Sequence, residues 1–133
     1  MAEQTRIEIV RRAMAAVARR DVSGFVADLA EDCELRPLMS VWPQPYRGHD
    51  GIARWFVDLA AVWDEFSVEP EGFRALDEDT LLVPLLWRGR GKGGGSELEG
   101  PAVALWRFRG DKAVSTHLYP DEARALEAYE AGG

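Results

Sequence analysis

The stretch Leu81–Tyr119, LLVPLLWRGRGKGGGSELEGPAVALWRFRGDKAVSTHLY, decides the fold of this chain. Its apolar runs are separated by a glycine-rich segment and by Gly110-Asp111. This pattern predicts three consecutive antiparallel strands joined by two turns. Because side chains alternate between the two faces of a strand, the turns determine which residues share a face. We expect the rest of the chain to cover this sheet.

The strand register predicted for this stretch follows from its two turns. Glycine stands first in the two-residue turn Gly110-Asp111, which suits a type II′ hairpin. The pairs expected from it are Phe108 with Ala113, Trp106 with Ser115, Ala104 with His117, and Ala102 with Tyr119. When the first turn is centred between Lys92 and Gly93, the expected pairs are Trp87 with Leu98, Val83 with Ala102, Leu81 with Ala104, Arg88 with Glu97, and Pro84 with Pro101.

Both predicted hairpins agree on one concave face. Its residues are Leu81, Val83, Leu85, Trp87, Leu98, Gly100, Ala102, Ala104, Trp106, Phe108, Ser115, His117 and Tyr119. Since Gly100, Ala102 and Ala104 are small, the aromatic residues around them are expected to frame a hollow. The opposite face carries Leu82, Pro84, Leu86, Pro101, Val103, Leu105, Val114, Thr116 and Leu118. Such an apolar outer face predicts a homodimer.

Composition narrows the class of protein. A chain of 133 residues, 47% hydrophobic and with five Trp, is expected to form one packed domain over residues 1–133. A net charge of −7 disfavours nucleic acid and anionic membranes as partners. The lone Cys33 cannot form an internal disulfide, and no apolar run approaches the ~20 residues of a membrane span. Arginines flank the first apolar stretch, so we expect no signal peptide and a cytoplasmic protein.

The remaining segments are expected to pack against this sheet. Apolar spacing predicts an amphipathic helix over residues 3–20, and Asp21 is the expected N-cap of a short helix that ends at Glu31-Asp32. A strand over residues 33–38 and a rigid proline loop, Trp42-Pro-Gln-Pro-Tyr46, follow. A third helix over residues 50–64 is expected to lie over the apolar wall. A strand over residues 66–75 precedes the meander, and a C-terminal helix opens at Pro120.

The order of these elements resembles the nuclear transport factor 2-like superfamily, in particular its SnoaL-like branch. The strings Pro45-Tyr-Arg-Gly-His-Asp-Gly51, Ala61-Val-Trp-Asp-Glu-Phe66 and Trp87-Arg-Gly-Arg-Gly91 resemble that branch at the start and end of the third helix and at the central strand. The resemblance covers nearly the whole chain. It implies an α+β fold, a cone-shaped α+β barrel in which a curved, mostly antiparallel sheet is covered on its concave face by N-terminal helices and the third helix.

The resemblance also implies where catalytic groups would stand. Ketosteroid isomerase-like members place a carboxylate base just before a proline of the first strand, and the matching position here is Arg36, which cannot abstract a proton. The paired acids of epoxide hydrolases have no counterpart on the predicted inner face. SnoaL-like cyclases use an acid near the end of the last strand, where this chain has His117.

His117 is the sharpest catalytic candidate, because an imidazole in an apolar pocket can serve as general acid or base. Tyr119 is the second, as a donor to a developing enolate oxygen. The alternatives are that His117 is a hydrogen-bonded core residue and Tyr119 a wall of the pocket. Arg36 is an anchor for a ligand carboxylate, half of an inward ion pair with Glu34, or part of a solvated edge, and the ion pair is the favoured alternative. The expected ligand contacts are Arg36, Trp42, Tyr46, Trp55, Trp63, Trp87 and Trp106.

Two functions follow from these residues. The first is a cofactor-free cyclase- or isomerase-type enzyme that moves a proton on an apolar carbonyl compound. The second is a non-catalytic ligand-binding or dimerisation domain. The run Gly89-Arg-Gly-Lys-Gly-Gly94 fits a dinucleotide-binding pattern, but a strand rather than a helix is expected after it. One Cys and two separated His give no metal-ligand spacing, so we predict neither metal nor cofactor.

Overall fold

The computed structural model describes residues 2–38 and 44–132. This part of the chain contains four helices and seven strands. In chain order they are α1 (Ala2–Arg19), α2 (Val22–Val26), β1 (Leu29–Arg36), β2 (Tyr46–Arg47), α3 (Gly48–Val62), β3 (Trp63–Pro70), β4 (Arg74–Asp77), β5 (Thr80–Gly91), β6 (Glu97–Arg109), β7 (Lys112–Tyr119) and α4 (Glu122–Glu130). The predicted α+β class is confirmed.

The strands form one strongly curled sheet, half of a barrel in shape. Their order is β2-β1-β7-β6-β5-β3, and β4 pairs with the same edge of β5. Strands β1 and β7 run parallel, and every other pair is antiparallel. The prediction of a curved, mostly antiparallel sheet is therefore confirmed.

The concave side is covered by helices, as predicted. Helix α1 buries Val10, Met14 and Val17, and α3 buries Ile52 and Trp55 in the same core cluster. These positions recur at helical spacing, so one stripe of each helix packs on the sheet. None of the helices in residues 2–38 and 44–132 has the length and apolar character needed to cross a membrane.

Several element boundaries differ from the prediction. Asp21 caps α2 as expected, accepting a hydrogen bond from Gly24 N at 3.0 Å. Helix α2 nevertheless ends at Val26, and Glu31-Asp32 lies inside β1. Helix α3 begins at Gly48, whose positive φ of 70° suits glycine, rather than at Asp50. The strand predicted over residues 66–75 is two strands, β3 and β4.

The hairpin of β5 and β6 has the predicted faces but a register displaced by two residues. Trp87 pairs with Gly100 and Val83 pairs with Ala104. A register displaced by an even number of residues leaves every side chain on its predicted face. Pro84 therefore stands opposite Val103 instead of Pro101. Arg88 stands opposite Glu99 instead of the predicted Glu97, and Arg88 Nε lies 3.4 Å from Glu99 Oε1.

The register of the β6–β7 hairpin differs from the predicted one, and the difference changes the face on which His117 lies. It starts with the expected pair, Phe108 and Ala113, but the register then shifts at Val114. This β-bulge adds one residue to β7, and a shift by one residue moves every later side chain to the other face. His117 consequently pairs with Leu105 and not with Ala104.

The bulge exchanges the faces of the end of β7. Thr116 and Leu118, predicted on the outer face, lie on the concave side. Tyr119, predicted on the concave side, pairs with Val103 and packs against the outer apolar cluster. The predicted common concave face of Trp106, His117 and Tyr119 is therefore wrong.

The outer apolar face is covered by the chain's own C-terminal helix. Helix α4 starts at Glu122, with Asp121 as its N-cap, and not at Pro120. Ala125 of this helix is completely buried against Leu82, Val103 and Leu105. Three residues of the patch on which the predicted homodimer rested are therefore covered, Leu86 and Val114 are partly buried, and the homodimer stays a prediction.

Candidate functional site

A cavity of about 100 Å³ lies between the concave face of the sheet and the helices. Helices α1, α2 and α3 and strands β1, β3, β5, β6 and β7 contribute to it. Its lining residues are Met14, Val17, Phe25, Leu35, Pro37, Leu38, Trp55, Leu59, Trp63, Phe66, Val68, Leu85, Trp87, Ala104, Trp106, Thr116 and Leu118. Of the three small residues of β6 that predicted a hollow, Ala104 lines the cavity, whereas Gly100 and Ala102 are not among its lining residues.

The middle of the wall is formed by β6 and β7. Ala104 is fully buried, and its methyl group leaves free the volume that a larger side chain would fill. Trp106 follows two residues later on the same face, and it stands opposite Thr116 of β7. Leu118 continues this face beside Ala104. Ala104 is therefore the smallest side chain in the lining, between larger neighbours.

An aromatic cluster forms one end of the cavity. The ring centroids of Trp63 and Trp87 are 6.2 Å apart, and those of Phe66 and Trp87 are 6.5 Å apart. Two glycines of the sheet make room for these rings. A Cβ at Gly89 would lie 2.5 Å from the Trp63 ring, and one at Gly100 would lie 3.1 Å from the Trp87 ring. The positions of both tryptophans depend on these glycines.

The described lining contains no ionisable side chain. Its side-chain polar groups are the Thr116 hydroxyl and the N–H groups of four tryptophans. Trp106 is 2% exposed, and its Nε1 is buried with no hydrogen-bond partner. Within residues 2–38 and 44–132, no cluster of His, Cys, Asp and Glu has the arrangement of a metal site.

The sequence predicts Trp55, Trp63, Trp87 and Trp106 as ligand contacts. All four line the cavity. Tyr46 and Arg36 do not line it. Tyr46 donates its hydroxyl hydrogen bond to Asp58 Oδ2 at 2.6 Å, away from the cavity lining. Arg36 is exposed next to His117 on the outer face. Trp42 lies outside the described residues.

His117 and Tyr119 lie across the sheet from the cavity. The His117 side chain is 18% exposed, and its Nε2 lies 3.5 Å from Glu34 Oε2 without an aligned hydrogen bond. The pKa of His117 is lowered, chiefly by burial, and the Glu34 carboxylate opposes this shift. Burial also raises the pKa of Tyr119. Their catalytic roles stay predictions, but the cavity location that motivated them is wrong.

The Glu34 carboxylate links this outer group to its surroundings. Its Oε1 lies 3.5 Å from Arg47 Nη2. The positive charges of Arg36 and Arg107 add to the lowering of the His117 pKa. The sequence prediction of an ion pair between Arg36 and Glu34 is replaced by contacts of Glu34 with Arg47 and His117. This polar group lies on the outer face and has no described residue in common with the cavity lining.

Thr116 and Leu118 are the cavity residues that sequence reasoning placed on the wrong face. A single extra residue at Val114 caused the error, because the turn chemistry alone allowed an uninterrupted ladder. One signal was present in the order of residues at the strand end. Leu118 is apolar between polar His117 and Tyr119, and burying Leu118 rather than His117 is the less costly choice.

Comparison with known proteins identifies the fold family. The sequence profile of the SnoaL-like domain matches residues 10–116. Among solved structures, an NTF2-like protein from Burkholderia xenovorans LB400 is 30% identical, covering 95% of this chain and 96% of its own, with a TM-score of 0.69. No curated protein matches the chain significantly.

Two further solved structures share the fold at lower identity. TerC, co-crystallised with polyporic acid, is 22% identical, covering 95% of this chain and 98% of its own, with a TM-score of 0.77. The epoxide hydrolase/cyclase-like enzyme SalBIII is 20% identical, covering 92% of this chain and 96% of its own, with a TM-score of 0.76. Since the profile match extends from α1 into β7, the chain belongs to the SnoaL-like domain family.

Proposed function

We propose that this protein binds a neutral, apolar small molecule in the cavity lined by Trp55, Trp63, Trp87 and Trp106. The observation that carries the proposal is the chemistry of the lining, which is apolar except for one hydroxyl and the indole N–H groups. Concave, mostly apolar sites with a few polar groups are the usual form of small-molecule sites. TerC, of the same fold, has been co-crystallised with polyporic acid, which supports a small-molecule ligand.

The charge of the lining favours a neutral ligand. An ionised group that leaves water without a partner loses its hydration with nothing to replace it. The described lining contains no Lys, Arg or His to pair with an anion, and no Asp or Glu to pair with a cation. A carboxylate or an amine would therefore bind more weakly than an uncharged compound of the same shape.

The volume of the cavity favours a ligand built on a single ring. An apolar cavity of about 150 Å³ is known to bind benzene. The volume here is about 100 Å³, so a ring of five or six atoms is the scale that it suits. The aromatic cluster of Trp63, Phe66 and Trp87 would contribute flat surfaces to such a ring.

The geometry favours binding over proton transfer among the two functions predicted from sequence. A general acid or base has to come within about 2.6–3.2 Å of the proton that it moves. His117 and Tyr119 lie on the outer face, with the sheet between them and the cavity. The described lining of the cavity contains no ionisable side chain. These facts support the non-catalytic ligand-binding function.

Titration with methylenecyclohexane, a neutral six-membered hydrocarbon ring, tests the proposal. Calorimetry and the fluorescence of the cavity tryptophans measure its affinity. Ala104→Leu adds an isopropyl group at the middle of the wall and should weaken binding at least about tenfold, because it occupies the free volume. Ala61→Leu, at an exposed position of α3, is the matched control and should leave the affinity unchanged.

Two results would overturn the proposal. One is an affinity for methylenecyclohexane that Ala104→Leu does not reduce, since the ligand would then bind elsewhere. The other is tighter binding of cyclohexanecarboxylate than of methylenecyclohexane, since an anion would then find a partner that the described lining does not offer.

A further inference from the structure

The indole N–H of Trp106 is a hydrogen-bond donor without an acceptor. Trp106 stands on β6, lines the cavity and is 2% exposed. Its Nε1 is one of two buried side-chain polar atoms without a hydrogen bond in the described part of the chain. The other is His117 Nε2, which has the Glu34 carboxylate 3.5 Å away. A buried indole N–H normally finds a partner, so an unpaired one needs an explanation.

Thr116 brings a second polar group to the same place. It pairs with Trp106 in the register of β6 and β7, so the two side chains are neighbours on the concave face. Thr116 is 2% exposed and lines the cavity. Its hydroxyl rotates freely and can donate or accept. Trp106 and Thr116 thus form a small polar region in a lining that is otherwise apolar.

We propose that the bound molecule is a neutral carbonyl compound whose oxygen accepts the hydrogen bond of Trp106 Nε1. This inference rests on the proposed function, because it assigns the ligand of that cavity. A cyclic ketone is the simplest member of the class. Its ring occupies the apolar volume next to Ala104, and its oxygen lies at Trp106 and Thr116.

The donor inventory selects a carbonyl among possible polar groups. Tryptophan offers only a donor, so the ligand must supply an acceptor. A carbonyl oxygen has two lone pairs and no proton of its own, and it can receive the indole N–H and the threonine O–H together. A carboxylate would also accept, but its charge has no counterpart in the described lining. A protonated amine has no lone pair to accept the indole N–H, and its charge has no counterpart in the described lining.

A pair of probes of the same shape isolates this hydrogen bond. Cyclohexanone and methylenecyclohexane differ in replacing C=O by C=CH₂. Trp106→Phe keeps an aromatic ring in place and removes the N–H. We expect Trp106→Phe to lower the affinity for cyclohexanone about tenfold more than the affinity for methylenecyclohexane. This factor is the usual size of one net hydrogen bond. Taking the ratio of the two affinities cancels their different solubilities and any general change in the cavity.

Trp55→Phe is the matched control. Trp55 lines the same cavity, and its Nε1 is not among the unpaired buried atoms. The Trp55→Phe variant should change the affinities of both probes by the same factor. A direct readout is the ¹⁵N–¹H resonance of the Trp106 indole, identified by its loss in Trp106→Phe. This resonance should move downfield with cyclohexanone and much less with methylenecyclohexane.

The outcomes separate this inference from the proposed function. If neither probe binds the wild-type chain, the proposed function fails. If both probes bind and Trp106→Phe changes their affinities equally, the cavity binds apolar molecules but the carbonyl assignment is wrong, for example because a bound water satisfies the indole N–H. If Trp106→Phe loses affinity only for cyclohexanone, and cyclohexanone shifts the Trp106 indole resonance of the wild-type chain, the carbonyl assignment is supported.

Discussion

The two faces of β6 and β7 differ sharply in what they offer a ligand. On the concave face, Ala104, Trp106 and Thr116 border a cavity of about 100 Å³ with no ionisable group in its described lining. On the outer face, Leu105 and His117 lie in a filled layer with the C-terminal helix and charged residues of β1. The free volume and the groups able to move protons are therefore on opposite sides of one sheet.

This comparison shows that a catalytic candidate has to be judged by its face as well as by its residue type. Leu105 is 1% exposed and Ala125 is fully buried, so the outer layer is filled where α4 packs on the sheet. The concave layer is incompletely filled at Ala104. Substitutions on the outer face should consequently reduce stability, whereas substitutions at the cavity should change binding. The following predictions test that difference, beginning with the largest effect.

Leu105→Ala should reduce the free energy of unfolding by about 2–5 kcal/mol, because it leaves a cavity in a filled layer. Urea unfolding followed by circular dichroism measures the change. The affinity of the folded fraction for methylenecyclohexane should stay the same. Leu98→Ala is the control, since Leu98 is 53% exposed, and it should change stability by less than about 0.5 kcal/mol. A loss of affinity without a loss of stability in Leu105→Ala would contradict the assignment of the two faces.

Gly89→Ala should destabilise the protein by about 1–3 kcal/mol, because overfilling forces neighbouring side chains to move. The added Cβ would lie 2.5 Å from Trp63, which lines the cavity, so methylenecyclohexane affinity should fall as well. Gly72→Ala is the matched control, because its Cβ would have only Pro84 nearby, at 3.9 Å. Equal stabilities of the two variants would show that Trp63 does not pack on Gly89.

His117 should produce the smallest effect, a dependence of stability on pH. Burial lowers its pKa in the folded state, so the unfolded chain binds the proton more readily. The stability contributed by neutral His117 is present above the ordinary pKa of about 6.5 and is lost as the pH falls from there toward the lower folded value. Urea unfolding between about pH 7.5 and pH 5.5 covers the beginning of this window.

His117→Gln should flatten this dependence, and Glu34→Gln should steepen it, because the Glu34 carboxylate favours the protonated imidazole. The comparison of each variant with the wild-type chain removes the contribution of carboxyl groups that titrate at lower pH. Ligand affinity should not change in either variant, because both residues lie on the outer face. If the free energy of unfolding depends on pH in the same way in His117→Gln and in the wild-type chain, the buried position of His117 is contradicted.

Much of the fold was predictable from local patterns. The helical spacing of apolar residues located α1 and α3, and Asp21 marked the start of α2. The apolar runs from Leu81 to Tyr119 located the three long strands. The hollow was expected beside Ala104, and the cavity is found there. These features depend on side-chain periodicity and volume, which neighbouring residues in the sequence already express.

The side of the sheet on which each candidate group lies was less predictable. The predicted register of β5 and β6 was displaced by two residues without consequence for the faces. The displacement by one residue at Val114 moved His117 and Tyr119 out of the concave face and moved Thr116 into it. A bulge leaves no mark in turn chemistry, and its position depends on which side chains the opposing layers can bury.

The sequence by itself determined the class of fold, the small residues of the wall and the tryptophans around them. Only the tertiary structure decided that Thr116 shares the cavity with Trp106, that His117 contacts Glu34 on the far side, and that α4 covers Leu105. The physical reason is that these outcomes arise between segments distant along the chain. The bulge at Val114 places Leu118 on the concave face, and the docking of α4 buries Leu105 on the other face, so both outcomes follow from the packing of apolar side chains between distant segments.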